Sequence, residues 1–347
     1  MFKIPTVFVI GAGCSVDFKF PTGPKLIEEI YTKVGGAVRE NGLFLEAFLR
    51  SGINNQGYQS SFRAFAGGLH GQPSIDQYLN FHVENKQFET IGKIAIAQII
   101  MEHERASIFR QDMTQDGVRS ISGTWILNLI HLMLSGVAKD SIESAFNNVS
   151  FICFNYDRCI EAAFYLILIH TVGLSAADAA KALQHLKIWH PYGSVGQAID
   201  SPMGGFRRGY IDANELLQAS RGIRTFAEGM HDESERAAIV GEIESAKQLV
   251  FLGFSYGTDN MSLLTINDTS LADVVLANTY GLSASNASSA RESCCSTLNW
   301  PITHFKDRVF RTPANANDVI AMYGPALCNG MLSWQIKQGH ILEGERI

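Results

Sequence analysis

The sequence predicts an α/β protein built on a Rossmann-like parallel sheet with an inserted helical module. Three observations predict it. Short apolar runs recur at Thr6–Ile10 (TVFVI), 149–154 (VSFICF), 188–190 (IWH), 248–253 (QLVFLG) and 273–277 (DVVLA). Most are bounded by Gly, Pro or polar residues, as buried strands are. Segments of helical spacing lie between them, the alternation that makes strands parallel and covers both faces of the sheet. Finally, Gly or polar residues follow each run: Gly11-Ala12-Gly13-Cys14-Ser15, Asn155-Tyr156-Asp157, His190, Gly253-Phe254-Ser255 and Asn278. Open α/β sheets bind ligands at those strand ends.

The elements follow in order. Pro5 and Gly11 frame the first strand; Gly11 to Ser15 reads as a tight turn and 20–23 (FPTG) as a second. Leu26, Ile27 and Ile30 space a helix over 24–33. The chain reads as one domain, 1–347, with a helical insertion over 40–145. Within the insertion, 43–49 is helical, and 91–101 and 125–134 are apolar on most faces. Such helices are either buried or lie at a subunit interface. Ser74 with Gln77 three residues on predicts a helix start. The Gly-, Ser- and Asn-rich 52–71 reads as a loop. After the second strand come a helix to about residue 169 and one over 175–186 capped by Ser175. A Gly-rich loop is expected over 196–212, an amphipathic helix over 232–246, and a mobile surface loop over the Ser-, Ala- and Asn-rich 282–296.

With 46% hydrophobic and 18% charged residues among 347, the chain can bury a sizeable core and is not disordered. A net charge of −6 argues against an autonomous nucleic-acid surface; the basic pair Arg207–Arg208 reads as solvated loop. The six cysteines, Cys14, Cys153, Cys159, Cys294, Cys295 and Cys328, form no C-x-x-C pair, so no zinc site and no metal are expected. Cys14, Cys153 and Cys159 lie among apolar residues and read as core positions of a reducing compartment. Residues 1–5 carry no signal-peptide pattern, and the longest apolar stretch, 162–169, is too short to span a bilayer. A cytoplasmic protein is expected.

The strand-end residues suggest chemistry, each beside a plainer role. A turn like GAGCS lets backbone N–H groups approach a pyrophosphate, and it also serves as an ordinary strand-to-helix turn. Val16 stands where the dehydrogenase fingerprint has its third glycine. Asn155 and Asp157 offer paired donors and acceptors for a carboxamide or ribose hydroxyls; Asp157 also suits a helix cap. His190 is a general-base candidate, and a structural histidine otherwise.

Together these pieces resemble the sirtuin superfamily, and within it the bacterial SIR2-like domains. The resemblance runs in order through Gly11-Ala12-Gly13-Cys14-Ser15, Pro21-Thr22-Gly23, Asn155-Tyr156-Asp157, His190 with Gly193-Ser194, Gly253-Phe254-Ser255 with Asp259, and Asn278, over about residues 5–280. It implies an NAD site, with NAD as substrate. Gly11, Ala12, Gly13 and Ser15 would line the phosphates, with Thr22 among the cofactor-binding residues. Asn155 and Asp157 would hold the nicotinamide ribose and carboxamide. His190 would be the base, and Gly253, Ser255 and Asn278 would contact the adenosine.

Three departures bear on activity. Sirtuin deacylases carry four zinc-binding cysteines, a His-Gly pair and a Gln before the catalytic Asn; here the zinc cysteines are missing, the glycine is Gly193, and Phe154 precedes Asn155. Water is then the expected acceptor, giving an NAD hydrolase of the kind that depletes the cofactor in antiphage defence. The alternatives are an NAD-dependent deacylase or ADP-ribosyltransferase, and a nucleotide-binding subunit without turnover. Control by homo-oligomer assembly, a partner protein or a ligand is expected, with 91–101 and 125–134 as candidate oligomer surfaces.

Overall fold

The five expected strands and a sixth form one parallel sheet in the computed structural model, which describes residues 1–37, 42–109, 115–196, 210–301 and 308–337. The strands are β1 (Thr6–Ile10), β2 (Val149–Cys153), β3 (Lys187–Trp189), β4 (Gln248–Leu252), β5 (Val274–Asn278) and β6 (Val309–Thr312). Their order is β3-β2-β1-β4-β5-β6, with every neighbouring pair parallel. Every residue of β1, β2, β4 and β5 is buried. That is why their sequences run apolar without alternation. The chain builds outward from β1 to β3, then returns to β4 on the other side. The strand order therefore reverses between β1 and β4, the place where such sheets bind ligands. Ile10 is level with Cys153 and with Leu252, so the turns after β1, β2 and β4 leave the same edge of the sheet together.

Between β1 and β2 lie α1 (Gly23–Ala37), α2 (Leu43–Arg50), α3 (Tyr58–Gly68), α4 (Ile75–Phe81), α5 (Lys86–Ala106), α6 (Gln115–Ser120) and α7 (Trp125–Leu134). Helix α5 is central among them: Ile91, Ile94, Ile96 and Ile99 are buried, with α1, α2, α3 and α4 packed around it. α7 is covered by α8 (Cys159–His170) and by a C-terminal helix at Ala316–Asn329. The apolar faces of 91–101 and 125–134 are thus satisfied inside one chain. The remaining helices are α9 (Ala176–Leu183), α10 (Ala213–Arg221), α11 (Phe226–His231), α12 (Glu233–Ser245), α13 (Thr258–Leu263), α14 (Ala284–Thr297), α15 (Ala316–Asn329) and α16 (Leu332–Lys337).

Expected caps are present: Ser74 Oγ accepts from the Gln77 amide at 3.0 Å, and Ser175 Oγ from the Asp178 amide at 3.1 Å. Three sequence readings are corrected. The segment 52–71 contains α3, because Phe62, Phe65, Ala66 and Leu69 share one buried face; Phe62 packs against Phe44, Phe48 and Tyr58. The segment 282–296 is mostly α14, started by Ser283, whose Oγ accepts from the Asn286 amide at 3.2 Å. Ala290, Cys294 and Cys295 fasten that helix to the core. The sheet also does not end at β5: β6 adds a four-residue edge strand whose Phe310 and Arg311 are only partly buried, too short a pattern to stand out. The loop expected over 196–212, with Arg207–Arg208, lies largely outside the described residues. All six cysteines are buried and free. Among the described residues no helix is long and apolar enough to cross a membrane, and no group of three His, Cys, Asp or Glu is placed to hold a metal.

Candidate functional site

The turn after β1 and the turn after β4 interlock. Gly11 N donates to Leu252 O and Gly13 N to Gly253 O, both at 3.0 Å. A Cβ on Gly11 would stand 2.4 Å from Gly253 O, and one on Gly253 would stand 2.4 Å from Cys14 N. Gly253 also has φ +57°, a left-handed conformation that favours glycine. The glycines are thus required by backbone approach across the switch point, and the amides of Gly11 and Gly13 are engaged with β4. The inserted module holds this turn from the other side, where Trp125 Nε1 donates to Cys14 O at 2.9 Å.

Asn155 ties the turn after β2 to the turn after β1. Its Nδ2 donates to Gly11 O at 3.1 Å and to Ser15 Oγ at 2.9 Å. Its Oδ1 is buried and has no partner among the described residues. An unmet buried acceptor costs roughly 1–3 kcal/mol, so this atom calls for a donor. Two residues on, Asp157 Oδ1 accepts from the Cys159 amide at 3.1 Å. The carboxylate thereby ties down the first residue of α8 from one position ahead of the N-cap, Arg158, whose own side chain makes no cap bond. Burial raises its carboxyl above the usual range, against the bonds from Cys159 and Ser15.

His190 follows β3 with both ring nitrogens occupied. Nδ1 lies 3.0 Å from Asn155 O, and Nε2 lies 3.0 Å from Glu161 Oε1. Burial opposes a charge on the ring, but Cys153 and Glu161 outweigh it and carry the imidazole well above its ordinary value. Burial pushes the Cys153 thiol up, against the opposing pull of His190. Beside this pair, Arg158 makes a two-pronged bond to Glu104 of α5, Nε to Oε1 at 3.0 Å and Nη2 to Oε2 at 2.7 Å. Their side chains are 5% and 0% exposed. From α4, Asp76 accepts a short hydrogen bond from the Tyr156 hydroxyl. Burial raises the Asp76 carboxyl to about 6, with Tyr156 opposing and Asp259 adding to the rise. The inserted module thus reaches the residues around Asn155 through Trp125, Glu104 and Asp76.

Asn278 closes the other side. Its Oδ1 accepts from Gly253 N at 3.2 Å, and its Nδ2 donates to Thr312 O at 3.3 Å and Ala314 O at 2.5 Å. The amide therefore locks the ends of β4, β5 and β6 to one another. Gly11, Ser15, Asn155, His190, Gly253 and Asn278 are brought together by these bonds. Thr22 and Ser255 are exposed, with Thr22 serving α1 through its carbonyl, which accepts from Leu26 N at 2.8 Å. Ala12 and Gly13 are the part of the first turn that reaches solvent.

Sequence reasoning passed over Glu161, Glu104, Arg158 and Asp76. Glu161 carried a signal: it is the one charged residue in the apolar run CIEAAFYLILI, and a lone carboxylate on a buried helix needs a partner. Glu104 and Arg158 carried none, because fifty-odd residues of chain separate them. Compared with models of protein families the chain matches none, and no curated protein matches it in sequence.

Proposed function

We propose that the protein binds NAD at the carboxyl edge of the sheet and hydrolyses its nicotinamide–ribose bond, releasing nicotinamide and ADP-ribose. The observation that carries this reading is the orphaned Asn155 Oδ1 beside the switch point. It seeks a hydrogen-bond donor, and NAD offers ribose hydroxyls and a carboxamide NH₂. The amide is already fixed by Gly11 O and Ser15 Oγ, so it can orient a ligand with little reorganisation.

The leaving group departs as neutral nicotinamide and leaves positive charge on the ribose. The carboxylates of Asp157 and Glu161, on the same loop and helix start as Asn155, favour that charge. The proton released by the attacking water goes to the His190–Glu161 pair. The reading is of a cytoplasmic SIR2-like effector of antiphage defence. Since free NAD hydrolysis harms a host cell, homo-oligomer assembly, a partner protein or a ligand would control it.

The test is to incubate the protein with NAD, alone and in host lysate, and resolve the products by mass spectrometry. Nicotinamide with ADP-ribose is the expected result. Protein-bound ADP-ribose would replace hydrolysis by transfer, and intact NAD in both settings would end the catalytic reading.

A further inference from the structure

We infer that Glu161 is a positioning residue that fixes His190 as an imidazolium, so that in the resting site His190 is a donor to the Asn155 backbone and not a free base. The Asn155 carbonyl lies 3.0 Å from Nδ1 and the Glu161 carboxylate 3.0 Å from Nε2. The carbonyl only accepts, and a carboxylate only accepts, so with Glu161 in its carboxylate form both nitrogens carry hydrogen. A neutral ring would set a nitrogen lone pair against an oxygen lone pair on one side. The side chains of His190 and Glu161 are 11% and 9% exposed, so solvent screens the pair little.

The groups facing His190 leave Glu161 as the deciding one. Cys153, from β2, also faces the ring, and burial raises its thiol against the pull of His190. Asp157, in the turn after β2, is engaged with the Cys159 amide. Arg224, between α10 and α11, donates to the main-chain oxygen of His190 at 2.8 Å and pairs with Asp232 and Glu235. Glu161, from α8, is the carboxyl group in hydrogen-bond contact with the ring. Its second oxygen, Oε2, is buried without a partner. That leaves an acceptor next to His190 which a ligand hydroxyl can take.

The chain of contacts is then Glu161 to His190 to the Asn155 main chain. Removing the charge at its head frees Nε2 and loosens the residue that would hold the ligand. The consequence for turnover rests on the NAD reading; the consequence for the ring does not.

The experiment follows the His190 ring resonances against pH by NMR in the full chain, assigned with His190→Gln. The wild-type midpoint is expected above the ordinary value near ~6.5. Glu161→Gln should move the midpoint down by at least about one pH unit, toward the ordinary value near ~6.5. Glu161→Asp keeps the charge on a shorter arm and should fall between, which also covers a Gln variant that does not fold. A wild-type midpoint near ~6.5, or equal midpoints in wild type and Glu161→Gln, overturns the inference. If NAD is cleaved, Glu161→Gln should lower kcat more than it alters KM and shift the pH profile; an unshifted profile counts against the role. Intact NAD with the expected ring titration would sink the NAD reading and leave this one standing.

Discussion

Gly11 and Gly253 meet backbone to backbone across the switch point: a Cβ on Gly11 would lie 2.4 Å from the Gly253 carbonyl oxygen. Gly253→Ala must accept both that crowding, from Cys14 N, and a left-handed φ. Left-handed backbone costs roughly 1–2 kcal/mol and overpacking roughly 1–3 kcal/mol more. Gly52→Ala makes the control, since Gly52 has φ +79° but nothing within 4 Å of its added carbon. Thermal melting should fall clearly further for Gly253→Ala than for Gly52→Ala. Equal losses would mean that the interlock carries no weight.

Asn155→Ala removes two hydrogen bonds, to Gly11 O and Ser15 Oγ, each contributing about 0.5–1.5 kcal/mol. A modest drop in melting temperature is expected. NAD cleavage should fall much more, by ~10²-fold or greater, if the amide positions the reacting ribose. Ser15→Ala takes away one of the two acceptors and leaves the other, so its turnover should lie between. A folded Asn155→Ala protein that releases nicotinamide at the wild-type rate would remove Asn155 from the mechanism.

The strands, their polar ends and most helices were legible because burial leaves an unmistakable pattern: TVFVI has no polar face at all. The two misread loops show the limit. Residues 52–71 and 282–296 are rich in small polar residues, yet Phe62 with Phe65, and Cys294 with Cys295, give each helix a buried stripe. Composition averaged over that stripe hides it. Asn155 and His190 were legible as residues after strands, but their partners were not. Glu161 is six residues from Asn155 in sequence yet meets His190 from the next crossover. Asp76 and Glu104 come from the inserted module, and nothing local says that they fold back onto the turn after β2. Asn278 and Gly253 looked ligand-facing by position; the amide instead satisfies backbone groups of three strand ends.

Asp76 should make stability fall as pH rises through mildly acidic values. Its folded carboxyl is raised to about 6 by burial, from an ordinary value of 3.8. The folded state therefore binds the proton more tightly than the unfolded state, and the gain is full below the unfolded value and lost as pH climbs through about 6. Asp76→Asn keeps an acceptor for the Tyr156 hydroxyl and removes the charge. It should flatten the melting-temperature curve between roughly pH 4 and 7 and melt higher than wild type at neutral pH. An unchanged curve would show that Asp76 titrates alike folded and unfolded.

The Glu104–Arg158 pair joins α5 of the inserted module to the turn that carries Asn155. Arg158 opposes the effect of burial on Glu104, yet burial prevails and the Glu104 carboxyl sits above its usual range. On Arg158 the balance is the other way, the attraction of Glu104 outweighing burial, so the pair sets mutual attraction against the cost of taking both charges out of water. Two consequences follow for substitutions. Glu104→Met or Arg158→Met alone strands a buried charge or its donors and should cost about 3–5 kcal/mol. Replacing both with methionine removes both burial costs together, and the double variant should recover most of that loss. Chemical denaturation of the two single variants and the double variant gives the coupling energy directly. Strictly additive losses would mean that the two side chains do not interact, and that the inserted module holds the turn after β1 through Trp125 and the Asn155 turn through Asp76 without them.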